Sequence, residues 1–350
     1  MLKGRALPAL YFYEVEGKQA PAKPELRVPE AKRKEGIKRM NFYIRKIVSF
    51  LLTIFCVAML SFLMFQVLPG DAAIAKLGTE ATPEAIEALR AEYGYDRPVG
   101  ERFVIWLKGA VHGDFGMSMR YEGISVTELI GSRLPVTLSL AGMSIVLIAL
   151  VSLPVGLLTA ARPGGTADRI SEAAAITFMA IPSFVTGLLV TLIFGIWLKA
   201  FTPGGYVPLS ENAGRFFEFM IFPAISVAIP KIAMTVQYMK ASVKEQLACD
   251  YIRTARAKGN NLHGVMWKHV LGNSMMPVIT FIGLIVAEVL AGSIMIEQVF
   301  NLPGMGRLLV NSIANRDFNV VQAIVLYIAA SVLLVNLIVD IIYKVIDPRV

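Results

Sequence analysis

Charge is missing from long stretches of this chain. Ile47–Gly70, Leu134–Ala161 and Ala173–Leu198 carry none, Phe219–Met239 has only Lys231, Val270–Ile296 only Glu288, and Phe318–Tyr343 only Asp340. About 20 helical residues cross a hydrocarbon core, so apolar runs of this length are read as membrane spans. A soluble helical core would instead show shorter amphipathic segments. The pattern predicts an all-α, polytopic membrane protein with six transmembrane helices.

Between the first and second runs the pattern turns amphipathic. "TPEAIEALRAEYG" predicts a short helix with Thr82 as N-cap, Pro83 at the first helical position and Gly94 past its end. In "PVGERFVIWLKGAV", Val99, Phe103, Trp106 and Ala110 fall on one helical stripe. Ser125–Glu128, "SVTE", reads as a capping box leading to the second span. These segments make a helical external region, either a membrane-surface scaffold or a docking platform. Toward the C-terminus, "TPGGYVPL" and "NLPGMGR" predict rigid turns on the same side.

Composition agrees with a membrane chain, at 55% hydrophobic residues. Loop charge sets the orientation. With six spans, one side holds 22 Lys and Arg residues and the other 11, with Lys231 inside a span. The positive-inside rule places the richer side, and both termini, in the cytoplasm. The net charge of +8 reflects this bias, and no nucleic-acid patch is seen. Residues 1–39 are charged, proline-containing and poor in apolar positions, which predicts a flexible tail. No apolar run there ends in a small-residue cleavage site, so it is not a signal peptide. Met40 reads as a natural start, with an upstream start, a tag or a true extension left open.

Little catalytic chemistry is visible. Cys56 lies in the first span and Cys249 in a basic loop, so no disulfide is expected. His112, His263 and His269 are scattered, with no metal-ligand spacing among them. No G-x-x-x-x-G-K-[ST] phosphate loop occurs, so the chain is not expected to hydrolyse ATP, and no catalytic or metal residue is assigned. Charges within spans are functional candidates. Lys231 and Glu288 are expected either to pair or to line a pathway. Asp340, near the end of the last span, is expected at the interface. Gly283, Ala287, Ala291 and Gly292 are spaced for close helix packing.

The most informative stretch is the basic loop "DYIRTARAKGNN". Asp250 is expected as N-cap, Tyr251–Lys258 as about two helical turns, and Gly259 as the left-handed residue that ends them. Asn261 is expected to cap a following helix, Leu262–Leu271. Thr254, Ala255 and Ala257 are small enough for close approach to a partner, with Tyr251 and Ile252 as apolar anchors in its groove. The competing reading is a solvated loop whose Arg253 and Arg256 meet lipid headgroups.

The loop resembles the cytoplasmic "EAA–Gly" loop of ABC importer permeases, in the "DYVRTARAKG" form of the dipeptide, oligopeptide and nickel branch. Gly259 matches the glycine and Ala255 the second alanine. Arg253 and Thr254 replace the general pattern's Glu and first Ala, as that branch does, and His269 and Gly272 depart from it. "LPGDAA" (68–73), "YGYDRPVGERFVIWLKGAVHGDFGMSMR", "RLPVTLSLA", "EQVFNLPGMGRLLVNSIANRDFNVVQA" and the closing "DPRV" extend the resemblance from about Met40 to Val350.

The resemblance implies a type I ABC importer permease fold and one half of a transmembrane pathway in a bacterial or archaeal cell membrane. Implied partners are a second homologous permease, two ATPase subunits, an extracytoplasmic solute-binding protein, a peptide substrate and membrane lipid. ATP and magnesium would sit on the ATPases, with no cofactor in this chain. Asp250, Tyr251, Ile252, Arg253, Thr254, Ala255, Arg256, Ala257, Lys258 and Gly259 would form the coupling loop. The domains expected are a flexible cytoplasmic extension (1–43), the first span with its external helices (44–133), and a core permease domain with five spans (134–350) whose coupling loop is 240–274. Nickel chelates, opines or other small solutes are alternative cargoes. An ion-coupled carrier or channel is the alternative class, with a membrane enzyme a third that no nucleophile–base pair supports.

Overall fold

The computed structural model describes residues 30–67, 82–92 and 96–346. Contacts divide the chain into residues 1–47 and 48–350. Every named element among the described residues is helical. In chain order they are α1 (Glu30–Val67), α2 (Pro83–Glu92), α3 (Val99–Val111), α4 (Val126–Ala160), α5 (Thr166–Ala180) and α6 (Ser183–Val190). Then come α7 (Ala213–Leu247), α8 (Asp250–Ala257), α9 (Leu262–Val265), α10 (Leu271–Gly292), α11 (Ile294–Val299), α12 (Met305–Ala314) and α13 (Phe318–Ile346). Among the described residues, five helical stretches are long and apolar enough to cross a membrane: Tyr43–Gln66, Val126–Ala160, Ala213–Leu247, Leu262–Ala291 and Phe318–Val345.

The third expected span departs from a single rod. Helix α5 stops at Ala180, and α6, continued by the π-helical turn Thr191–Trp197, leaves at 102° to it. The cause is Pro182. A residue before proline is pushed out of the helical region, and Ile181 is extended at φ −91°, ψ 120°. The bent pair makes a sixth span only if both halves are counted as one. The fifth span is also redrawn. Helix α9 runs through the π-helical turn Met266–Val270 into α10, which ends at Gly292, and Ile294–Val299 form the separate helix α11. Where a free-standing helix at 262–271 and a span reaching Ile296 were expected, there is one long rod and a short one.

Residues 1–29 and 68–73 lie outside the described residues, as do Gly94 and the closing 347–350, so the motifs there are not placed. The tail expected to be flexible through residue 43 is helical from Glu30 onward. "EAKRKEGIKRM" is rich in Glu, Ala, Lys and Arg, strong helix formers that need no buried face.

Local signals elsewhere act as read. Thr82 Oγ1 accepts from the Ala85 amide at 3.3 Å, and Ser125 Oγ accepts from the Glu128 amide at 3.2 Å. On α3, Phe103 and Trp106 pack on Phe62 of α1 with ring centroids 5.3 and 5.9 Å apart, but Val99 is exposed. It stands at the first helical position, beyond the reach of that aromatic stack.

Glycines set two helix crossings. A Cβ on Gly156 of α4 would lie 2.6 Å from Met239 Cβ of α7, and one on Gly283 of α10 would lie 2.1 Å from Val339 Cγ2 of α13. Gly283 therefore does the packing work its spacing predicts.

Candidate functional site

Helix α8 is short and two-faced. Apolar or small positions recur three apart, as a helix stripe demands: Ile252 is 1% exposed and Ala255 6%. Both enter a cluster with Leu157 and Ala160 of α4, Met239 and Val243 of α7, and Val265 and Val278. Arg253, Thr254, Arg256, Ala257, Lys258 and Gly259 are exposed on the other face. This corrects one reading. Ile252 anchors the loop to its own spans rather than to a partner's groove, and Ala255 contacts Ile252's neighbours from the same stripe. Thr254 and Ala257 are the small residues left facing out.

The caps also differ in detail. Asp250 is the first helical residue and Cys249 the N-cap, with no side-chain capping bond. Asp250 still sits in the first turn, where a carboxylate favours the helix dipole, with Arg256 in the last turn. Its carboxylate meets Arg253 Nη1 at 3.3 Å, but both side chains are more than four-fifths exposed, so this pair contributes little. Gly259 adopts φ +84°. Asn260 Nδ2 donates to the Ala255 carbonyl at 3.0 Å, and Asn261 Oδ1 accepts from the Gly264 amide at 2.8 Å, closing the turn as expected.

Tyr251 ties the loop at its base. Its hydroxyl donates to Gln246 Oε1 of α7 at 2.8 Å and accepts from Asn273 Nδ2 of α10 at 3.1 Å. Below it, Lys240 Nζ of α7 lies 2.5 Å from Asp168 Oδ1 of α5, with side chains 3% and 6% exposed. The Gly164 amide donates to Asp168 Oδ2 at 2.9 Å. Sequence reasoning missed this pair. Lys240 looked like the first charge of a loop, and no local spacing connects it to Asp168, 72 positions earlier.

Lys231 and Glu288, expected to pair or to line a pathway, are brought together. Lys231 Nζ of α7 donates to Glu288 Oε1 of α10. The pair stands apart from α8, with Lys231 on the stretch of α7 that precedes Tyr238 and Lys240.

At the far end of α10 lies a second missed carboxylate. Glu297 of α11 is fully buried. It accepts from Thr137 Oγ1 at 2.7 Å, Ser293 Oγ at 3.4 Å, and the Gly306 and Arg307 amides at 2.7 and 3.1 Å. Thr137 Oγ1 in turn accepts from the Met305 amide at 2.9 Å. Burial pushes the Glu297 carboxyl above its usual range, against the pull of these donors. A Cβ at Gly304 would strike the carboxyl at 2.4 Å, so "NLPGMGR" is a turn wrapped around Glu297.

Comparison with known proteins places this arrangement. Residues 152–350 match the family described as binding-protein-dependent transport system inner membrane component, and residues 39–141 match its N-terminal membrane component. A probable peptide ABC transporter permease protein, y4tP, of Sinorhizobium fredii is 34% identical over 312 residues, 89% of this chain and 99% of that relative. The glutathione transport system permease protein GsiC of Escherichia coli strain K12 is 35% identical over 311 residues, 89% of this chain and 99% of its own length. The oligopeptide transport system permease protein AppB of Bacillus subtilis is 36% identical over 296 residues, covering 84% and 94%. With both halves matched, the chain belongs to the binding-protein-dependent transport system inner membrane component family.

Proposed function

We propose that this chain is the membrane permease subunit of an ATP-driven importer of di- and oligopeptides. It forms one half of the translocation pathway, with a second homologous permease as the other half. Six spans, the bent α5–α6 pair being the third, leave both termini and α8 in the cytoplasm. Two ATPase subunits supply ATP hydrolysis, and an extracytoplasmic binding protein delivers the peptide. The relatives, a probable peptide, a glutathione and an oligopeptide permease, favour peptides over nickel chelates or opines as cargo. The chain spans nearly the whole length of those relatives.

One observation carries the reading: the two faces of α8. An element that passes motion from an ATPase to the spans must be fixed to the spans and open to the partner. Ile252, Ala255 and Tyr251 supply the attachment. Arg253, Arg256 and Lys258 supply a cationic, donor-rich surface on the outer face. Closure of the ATPases on ATP would shift α8, and the cluster beneath it would carry the shift into α4, α7 and α10.

Co-purification tests this. The wild-type chain, expressed with its neighbouring transporter genes, is expected to be retained with two ATPase subunits. Ala257→Trp places a bulky ring on the outward face without touching the cluster. It is expected to release the ATPases while the chain's own thermal unfolding is unchanged. Full ATPase retention and full ATP-driven uptake by Ala257→Trp and Arg256→Glu together would overturn the role given to α8.

A further inference from the structure

The seam between α7 and α10 holds two side-chain pairs in one register. The helices run antiparallel, with Lys231 opposite Glu288 and Tyr238 opposite Phe281. Each pair is seven positions from the other on both helices, a rise of roughly 10 Å. The Tyr238 and Phe281 rings are stacked, 4.2 Å between centroids and 8° from parallel.

The two members of the ion pair are unequally placed. The Lys231 side chain is 14% exposed and that of Glu288 57%. Lys231 engages Oε1, and among the described residues nothing donates to Oε2. One turn away Leu284 is 57% exposed, and Tyr238 is 40% exposed. A carboxylate thus stands open on the surface of a helix otherwise built for a membrane. Turned toward lipid it would be expensive, and charges in such helices face bundle interiors or water-filled cavities. Glu288 is outside the interior of this chain, so its neighbour is the water-filled pathway with its passing solute or the facing second permease.

We propose that Glu288 lines the translocation pathway and receives the N-terminal ammonium of a passing peptide on its outward oxygen, with the Tyr238 ring as a platform for a later side chain. This rests on the peptide-importer reading above. The acceptor is a carboxylate, which takes donors only. A peptide's carboxylate would be repelled, and the Lys231 ammonium is already committed and largely covered. Lys231 acts as a positioning residue, holding Oε1 so that the other carboxylate oxygen is aimed outward. An extended peptide advances about 3.4 Å per residue, so about three residues bridge Glu288 and Tyr238. Every unblocked peptide carries the ammonium whatever its sequence, as suits a pathway whose cargo has already been chosen by a binding protein.

The test uses the complete transporter, with the second permease, both ATPases and the binding protein, in proteoliposomes. Uptake of a lysine-free and a lysine-containing tripeptide is measured with loaded binding protein in excess. Glu288→Gln is expected to slow both about tenfold, the worth of one charge-assisted hydrogen bond, and Glu288→Asp to recover much of the loss. With Cys56→Ser and Cys249→Ser in place, Glu288→Cys is expected to react with a membrane-impermeant cationic thiol reagent, more slowly when peptide is being transported. Unchanged uptake by Glu288→Gln, a defect confined to the lysine-containing peptide, or an unreactive Glu288→Cys thiol would each sink the proposal. A wild-type complex that imports no peptide would instead sink the peptide-importer reading on which it rests.

Discussion

Lys240 and Asp168 form an ion pair sealed between α5 and α7, 2.5 Å apart and almost free of solvent contact. The pair joins the first half of the bent α5–α6 unit to the helix that enters the loop. Removing one member leaves the other buried and uncompensated, which costs about 3–5 kcal/mol, whereas replacing both by apolar groups is often neutral. Asp168→Leu or Lys240→Met alone is therefore expected to lower the unfolding temperature sharply. The double variant is expected to recover most of that loss. Equal and additive losses in thermal unfolding of the detergent-purified chain would show that the pair does not act as a unit.

Glu297 predicts a pH effect. Its carboxyl is raised by burial, so the fold binds its proton more tightly than the unfolded chain does. That contribution is complete below the unfolded value of 4.5 and is lost as pH rises through the higher folded value. Glu297→Gln carries no such proton. The wild type is expected to gain stability relative to the variant as pH falls from 7 toward 4.5, read as the difference between their unfolding temperatures. A difference that stays constant across this range would refute the shift.

Much of the fold was legible because membrane spans and caps are local signals. Runs with no charge or a single one located α1, α4, α7, α10 and α13, and Thr82, Ser125 and Asn261 began helices where their side chains said they should. The bend at Pro182 was legible in principle from Ile181–Pro182, but unbroken hydrophobicity across the break hid it. Lys240–Asp168 and the Glu297 cradle were not legible, because they join residues far apart in sequence through tertiary packing. Of the expected site, the loop and its glycine were readable from order and spacing. Which face of α8 turned inward was not. Ile252 looked like an anchor for a partner until the cluster around Val243 and Val265 accounted for it.

Gly259 is needed for its backbone rather than its space. A Cβ there would meet nothing within 4 Å, yet φ is +84°. An L side chain in this region costs about 1–2 kcal/mol, with Asn the best tolerated. ATPase retention and ATP-driven uptake are expected to fall in the order Gly, Asn, Ala, Val at this position. If Gly259→Val matched the wild type, the turn would not depend on that conformation.

Ala255 and Ala257 separate attachment from docking. Ala255 is buried in the cluster under α8, so Ala255→Glu places a carboxylate among apolar side chains and is expected to lower the unfolding temperature of the isolated chain. Ala257 is exposed, and Ala257→Glu is expected to leave that temperature alone and weaken only ATPase retention. If Ala255→Glu destabilised nothing, the inward face assigned to α8 would be wrong.

Gly283 and Val339 offer the sharpest packing test. With a Cβ falling 2.1 Å from Val339 Cγ2, Gly283→Ala forces α10 and α13 apart. Overpacking of this kind costs about 1–3 kcal/mol. Trimming the partner should relieve it, since Val339→Ala removes the methyl group that the new Cβ would strike. Gly283→Ala is thus expected to be clearly destabilising in the wild-type background and close to neutral beside Val339→Ala. A double-mutant cycle on thermal unfolding reads the coupling directly. A coupling near zero would mean that the two helices part freely here, and that the small-residue spacing of α10 serves some contact other than α13.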